Sequence, residues 1–392
     1  MLPLPRIKQS PTAPGFIADP YQFYDKIRAL GDFVFWEDYE MAMATSHGAV
    51  RTVLCHSALG REVPRARRTS RPVHLAAFHN IDDNSLLRLE PPEHTRLRSI
   101  VEQALDAATI LSMAPTISRT CDELIDGFPR QTAFDAQKDF ADQLASLTVM
   151  RFLGMPEEMY TQIKTWAHLM SALQYARRDR AIEDDANTAA SKLTIFMREF
   201  LAEKPSGDNF IGRISSISKT LTAEEVMSLV LLFVQAGTQA TAYCIGHAVL
   251  QLTDFPERSL AVSTIHISET VDECIRFEPP LHIVARHAQE DVTLFDHHFE
   301  RNTQIGCILG SACHDDAVWP DGNVFDPFRA GRPHMGFGAG IHACVGGALA
   351  RMMMTIALPA FFSRCPNARV VEPAKYANDY LFRRLERLMI RV

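Results

Sequence analysis

The segment Phe337-Gly338-Ala339-Gly340-Ile341-His342-Ala343-Cys344-Val345-Gly346 constrains this chain more than any other, because it sets a cysteine in a glycine-rich loop that runs straight into an apolar helical stretch. Glycine serves where the backbone turns left-handed or approaches another group closely. With Gly338, Gly340 and Gly346 around it, Cys344 lies where backbone N–H groups converge and a helix N-terminus points at the sulfur, and both features favour the thiolate. Such a sulfur is suited to a soft metal centre. An isolated cysteine reads instead as one more buried thiol, so it is the surrounding loop that singles Cys344 out.

Composition narrows the class. The chain has 392 residues, 47% hydrophobic and 22% charged, as in an ordinary globular protein with a large core. Its formal net charge of −7 argues against a general nucleic-acid binder. The eight cysteines (Cys55, Cys121, Cys244, Cys274, Cys307, Cys313, Cys344 and Cys365) show no zinc-finger spacing, which points to a reduced, cytoplasmic protein without a disulfide framework or structural zinc. The N-terminal residues lack a signal-peptide core, and no run of roughly 18 unbroken apolar residues suggests a membrane span. The expectation is a soluble protein with no membrane partner. With no repeat, low-complexity tract or Gly/Ser linker, residues 1–392 read as one domain.

Local patterns predict the layout. Asp19 to Leu30 and His47 to Cys55 have helical spacing, with strand-like alternation between them at Phe33-Val34-Phe35-Trp36 and Met41-Ala42-Met43-Ala44. From about Pro92 to Leu252 apolar residues recur at three and four, predicting helices. Thr222-Ala223-Glu224-Glu225 has capping-box spacing, and the run Leu229 to Val234 behind it is apolar all round, predicting a buried helix to about Leu252, roughly 45 Å long. The fold class is therefore mainly α with a small β lobe.

The pattern Phe-Gly-x-Gly-x-His-x-Cys-x-Gly, continued by Ala348-Leu349-Ala350-Arg351, closely resembles the haem-binding loop of the cytochrome P450 family. The resemblance implies a soluble bacterial type with haem b buried between a long central helix and the cysteine-loop helix. In that family the cysteine is the proximal iron ligand, a role that falls to Cys344. Phe337 is then expected beside the sulfur, Gly338 to free backbone amides for it, and His342 to reach a haem propionate. Pro91-Pro92-Glu93-His94-Thr95-Arg96-Leu97-Arg98 resembles the propionate-binding helix, with His94 and Arg98 on one face at i, i+4. Arg286 corresponds to a third propionate arginine. Glu273-Cys274-Ile275-Arg276 resembles the Glu-x-x-Arg helix, whose pair is joined by an arginine mapped to Arg329; read alone, this spacing is an ordinary surface pair.

The oxygen side departs from the family. Where Ala-Gly-x-acid-Thr-Thr is usual, this chain has Ala236-Gly237-Thr238-Gln239-Ala240-Thr241. The acid and alcohol normally relay protons for O–O cleavage, whereas an amide supplies no proton and alanine has no hydroxyl. Thr241 or Thr238 relays through water, a substrate hydroxyl completes the path, or the usual relay is not needed. Cys313-His314 and Leu105-Asp106 are further departures.

By correspondence the substrate-facing segments are Arg61 to Asn84, Trp166 to Tyr175, Phe233 to Thr241 (with Phe233 and Gly237), Leu281 to Val284 (with Leu281 and Ile283), and Tyr380-Leu381. Most are apolar, suiting a hydrophobic small molecule. The first carries Arg61, Arg65, Arg67, Arg68 and Arg71, read either as a solvated face or as a partner for an anionic substrate or acidic carrier. The implied function is a haem-thiolate monooxygenase using dioxygen and electrons from a ferredoxin or flavodoxin with its reductase. Arg96 and Arg351 are candidate cations for docking that donor. The alternatives are a peroxide-driven or oxidative-coupling haem-thiolate enzyme, and a non-catalytic haem-containing binding or sensor protein.

Overall fold

In the computed structural model, which describes residues 3–63, 72–174, 179–203, 207–329, 331–379 and 381–392, the chain is 55% helical with a small sheet region. Close contacts group it into two compact units. One comprises Met1–Arg67, Ile117–Gln143 and Ala240–Val392, and the other Arg68–Thr116 and Leu144–Gln239.

The first unit contains the main sheet. Its six strands run in the order Arg6–Ile7, Phe33–Trp36, Met41–Ala44, Gln304–Ile308, Ile283–Ala288, Leu59–Gly60. Two of them, Phe33–Trp36 and Met41–Ala44, occupy the segments where the sequence alternates, and their residues divide between two cores with the period of two that a strand imposes. Phe33, Ala42 and Ala44 join a cluster with Val50, Val53, Ile305 and Cys307. Val34, Trp36 and Met43 join the opposite cluster with Tyr24, Ile27, Ile283 and Ile308. Helix His47–Cys55 thus covers one face and helix Tyr21–Arg28 the other. Met43 faces Gly306 across the parallel ladder, and a Cβ at Gly306 would lie 2.1 Å from the Met43 sulfur, so any larger residue there would force Met43 to move.

The first unit also holds two buried ion pairs. Helix Ile267–Phe277 carries Glu273 and Arg276, whose side chains are 3% and 1% exposed and meet at 2.6 and 2.8 Å. Arg276 also donates to the carbonyls of Cys313 and Gly322, and Glu273 accepts from the Asp326 amide at 2.9 Å and from Arg329 at 3.5 Å. The second pair joins Glu278, just past the end of that helix, to Arg383 at 3.1 Å. Tyr21 donates its hydroxyl to Glu278 at 2.8 Å. Burial alone would raise the Glu278 pKa, but Arg383, His247, His282 and the Tyr21 hydrogen bond outweigh it and hold it below the usual glutamate range.

The second unit is built from helices, among them Glu93–Ala104, Tyr160–Ser171, Arg180–Ala202, Phe210–Ile217 and Ala223–Leu232. Ala223–Leu232 begins with a complete capping box: Thr222 accepts from the Glu225 amide, and Glu225 accepts from the Thr222 amide. This helix continues through a π-helical turn, Phe233–Gly237, into Thr238–Thr253. The 31 residues Ala223–Thr253 are long and apolar enough to cross a membrane, but two thirds of the apolar window is buried inside the protein. An unbroken apolar run is therefore not needed to reach that threshold. Scattered polar residues such as Gln235, Gln239 and His247 leave the mean hydropathy high.

Removing either buried partner leaves an unpaired charge in the core. Arg276→Met is expected to lower unfolding free energy by about 3–5 kcal/mol in urea titration. For Glu278 the folded pKa lies below the ordinary 4.5, so its stabilisation is present above that value and lost as pH falls through the folded pKa. The difference in unfolding free energy between wild type and Glu278→Gln is therefore expected to be largest near about pH 7 and to shrink below about pH 4. A difference unchanged across that range would contradict the assignment.

Candidate active site

The Cys344 loop connects a short 3₁₀ turn, Met335–Phe337, to the 18-residue helix Gly347–Arg364. The backbone folds tightly: the Cys344 amide donates to Phe337 O at 2.9 Å, and the Ala343 amide to Gly340 O at 3.0 Å. Gly338 and Gly340 have φ of 68° and 74°, in the left-handed region that favours glycine. At Gly340 space is a second constraint, because a Cβ would come within 2.3 Å of Leu54 O. Gly346, at the N-cap, offers no side chain to the first amides of Gly347–Arg364, and a helix N-terminus favours an anion in front of it.

Cys344 is exposed, whereas Cys121, Cys244, Cys274, Cys307, Cys313 and Cys365 are buried. Burial pushes the thiols of Cys121, Cys244, Cys307 and Cys313 up to about 12, which keeps them protonated and inert. Cys55 is also exposed, but it is the last residue of helix His47–Cys55 and so stands at a helix C-terminus, not in front of an N-terminus. Cys344 is thus the exposed thiol that stands in front of a helix N-terminus.

Phe337 packs beside this loop, with a ring atom 3.4 Å from where a Gly347 Cβ would lie. The Arg351 guanidinium lies 4.4 Å from its ring centroid and pairs with Asp272 at 2.6 Å. Burial works against the Asp272 carboxylate, but His334 and Arg351 outweigh it and hold its pKa down. Arg351 is thus tied to the helix Ile267–Phe277, although its side chain remains half-exposed.

The basic residues expected at the propionates fall in both units. In the first, Arg286 is buried on strand Ile283–Ala288, and His342 is half-buried in the cysteine loop. In the second, His94 is buried on helix Glu93–Ala104, and Arg98 one turn on contacts Glu102 at 2.6 Å. Arg96, the other cation considered for donor docking, is engaged by Glu225 within the same unit. The Glu273–Arg276 pair with Arg329 has the geometry given above. Of the arginine-rich loop, Arg65, Arg67, Arg68 and Arg71 lie outside the described residues, as does Tyr380.

On the central helix, the π turn Phe233–Gly237 directly precedes Thr238, Gln239, Ala240 and Thr241. Such turns arise where a helix inserts one residue, often at functional positions. The Thr238 hydroxyl donates to Val234 O at 2.6 Å. Gln235 donates to Ala167 O at 3.1 Å, and a Cβ on Gly237 would lie 3.1 Å from Val149, so this turn packs closely on its neighbours. Gln239 and Ala240 are half-buried and Thr241 is buried.

Two residues expected at the substrate are buried in this structure. The Phe233 ring is 5% exposed and packs against Phe210 and Phe152 at centroid distances of 4.6 and 5.7 Å. Ile283 belongs to the apolar cluster of Tyr24, Val34 and Trp36. Leu281 and Leu381, by contrast, are half-buried. Sequence reasoning missed the Glu278–Arg383 pair, whose partners are 105 residues apart and share no local spacing; the only hint was an acidic residue wedged between Phe277 and Pro279-Pro280.

With this geometry established, comparison with known proteins identifies the family. The sequence model of the cytochrome P450 family matches residues 267–368. The biotin biosynthesis cytochrome P450 of Bacillus subtilis (strain 168) is 28% identical over 397 residues, covering 98% of this chain and 99% of its own length. The polyketide biosynthesis cytochrome P450 PksS of the same organism is 25% identical, covering 91% and 90%. The crystal structure of P450BioI in complex with hexadec-9Z-enoic acid ligated acyl carrier protein superposes with a TM-score of 0.89 at 27% identity, covering 96% of this chain and 99% of that one. The fold expected from the cysteine loop is thus the observed fold, and the chain belongs to the cytochrome P450 family, a haem-dependent family of monooxygenases with soluble bacterial members.

Proposed function

We propose that this protein is a haem-thiolate monooxygenase that inserts one oxygen atom from dioxygen into a hydrophobic small molecule, with Cys344 as the iron ligand. The observation that carries this reading is the exposed Cys344 thiol in front of a helix N-terminus with glycine at its cap, in a chain whose buried thiols are held protonated. The donor set fits haem b. Cys344 offers a thiolate, and His94, Arg98, Arg286 and His342 offer positive or hydrogen-bonding groups for two propionate carboxylates, where charge-assisted bonds offset the burial of anions. When bound, haem supplies the oxygen activation, with thiolate electron donation favouring O–O cleavage.

The protein's own residues position and exclude. Phe337 shields the sulfur from one side, and Gly338 lets the loop amides face it. Glu273, Arg276 and Arg329 hold the segment that leads to the loop. Gly237, Leu281 and Leu381 are proposed to contact the substrate. Gln239 supplies no proton, and Thr238 has its own proton engaged by Val234 O. The Thr241 hydroxyl is therefore the group we assign to proton transfer through water, with Gln239 orienting the substrate or that water and Ala240 leaving room for it.

Residues 1–392 are read as one catalytic domain, since the chain passes between its two units after residues 67, 116, 143 and 239. Electrons are assigned to a ferredoxin or flavodoxin with its reductase, and the location to the cytoplasm, consistent with reduced cysteines. The relatives named for biotin biosynthesis and for a carrier-bound hexadecenoic acid make free and carrier-tethered fatty acyl chains the first substrates to test. Gln239-Ala240 favours one second reading, in which peroxide replaces dioxygen and reductant.

The reduced wild-type protein under carbon monoxide is expected to show the red-shifted Soret band of thiolate-ligated haem. Cys344→His is expected to retain haem with a band at shorter wavelength, and persistence of the red-shifted band in that variant would refute Cys344 as the ligand. Restoring the usual pair with Gln239→Asp and Ala240→Thr should raise the ratio of product to released peroxide by up to about 10²-fold with a surrogate donor. If the double variant instead loses peroxide-driven turnover and gains nothing with the donor, the second reading holds.

A further inference from the structure

We propose that Glu278 and Arg383 form a clamp that sets how large a molecule the pocket accepts. The inference rests on the reading above that Leu281 and Leu381 face the substrate. These two residues lie on strips joined backbone to backbone: Arg383 N donates to Pro280 O at 3.0 Å, His282 N donates to Leu381 O at 2.9 Å, and Leu281 bridges Phe382. The strips are short, and one isolated bridge made of these two backbone hydrogen bonds is a weak basis for a rigid wall.

What stiffens them is the buried charge at their base. Arg383 donates to Glu278, to Ile17 O and to Ala18 O, and its guanidinium lies 3.5 Å from the Tyr376 ring centroid. Its backbone carbonyl accepts from His247 Nε2 of helix Thr238–Thr253 at 3.1 Å. Glu278 is held in turn by Tyr21, and His282 by the Tyr24 hydroxyl at 3.0 Å. One arginine thus ties the N-terminal segment, the Pro280–His282 strip and the central helix to the same point.

Packing does not provide this rigidity alone. Tyr24, His282, Tyr376, Phe382 and Arg383 line a cavity of about 30 Å³, room for roughly one or two waters. The strips therefore have space to shift outward once the charge pair loosens. Arg383 and Glu278 act on the substrate through Leu281 and Leu381, as positioning residues.

The test uses two azole probes on the ferric holoprotein, followed by the Soret shift on iron ligation. Imidazole needs little beyond the iron, whereas clotrimazole also presses on the pocket wall. In Arg383→Lys and in the milder Tyr21→Phe, clotrimazole Kd is expected to change by about tenfold in at least the first, while imidazole Kd stays within about twofold. Leu281→Ala is the control for the wall itself. A clotrimazole shift in Leu281→Ala with none in Arg383→Lys or Tyr21→Phe overturns the clamp and leaves the pocket reading intact. No shift in Leu281→Ala overturns the pocket reading and the clamp with it. Equal shifts of both probes mean general loosening and also overturn the clamp, and if Arg383→Lys fails to load haem, Tyr21→Phe carries the test.

Discussion

The buried pair of Glu273 and Arg276 is the interaction on which the cysteine side of the protein depends. Two charges removed from water are costly unless each is fully engaged, and here they are. The glutamate accepts from Arg276, Arg329 and the Asp326 amide, while the arginine reaches the carbonyls of Cys313 and Gly322. One helical turn therefore organises the irregular chain between residues 313 and 329, a stretch with little regular secondary structure to fix its path. The same helix offers Asp272 to Arg351, which lies over Phe337. The loop that presents Cys344 is thus braced through ions as well as through the apolar contacts of Met335 and Ala339, and Cys344 remains exposed.

A second charge centre does comparable work elsewhere in the same unit. Glu278 and Arg383 sit five residues beyond Glu273 and near the C-terminus respectively, and they gather Tyr21, His247 and carbonyls of the N-terminal segment. Such networks suit an enzyme pocket, because directional bonds hold backbone strips in one arrangement while leaving apolar side chains available for a ligand. The central helix shows the opposite strategy. It is apolar on all sides near Leu229 to Leu232 and is interrupted only where the π turn shifts its register ahead of Gln239 and Ala240.

The unusual distal pair has a clear chemical consequence. An amide at position 239 supplies no proton at neutral pH, and alanine at 240 has no hydroxyl to donate one.

Much of this was legible in the sequence because it is local. The glycines around Cys344, the capping box at Thr222, the alternation of Phe33–Trp36 and Met41–Ala44 and the i, i+3 spacing of Glu273 and Arg276 are each set by neighbours a few residues away, where steric and hydrogen-bonding rules act directly. Tertiary structure decided what distant partners control. Phe233 packs against Phe210 and Phe152, and Ile283 joins the cluster of Tyr24 and Trp36, neighbours that no local spacing announces. Glu278 finds Arg383 across 105 residues, and Arg351 finds Asp272 across 79. Local pattern determined which elements form and which cysteine stands before a helix. Only folding, by choosing which face of each element is buried and which charges meet there, decided how those elements hold the site.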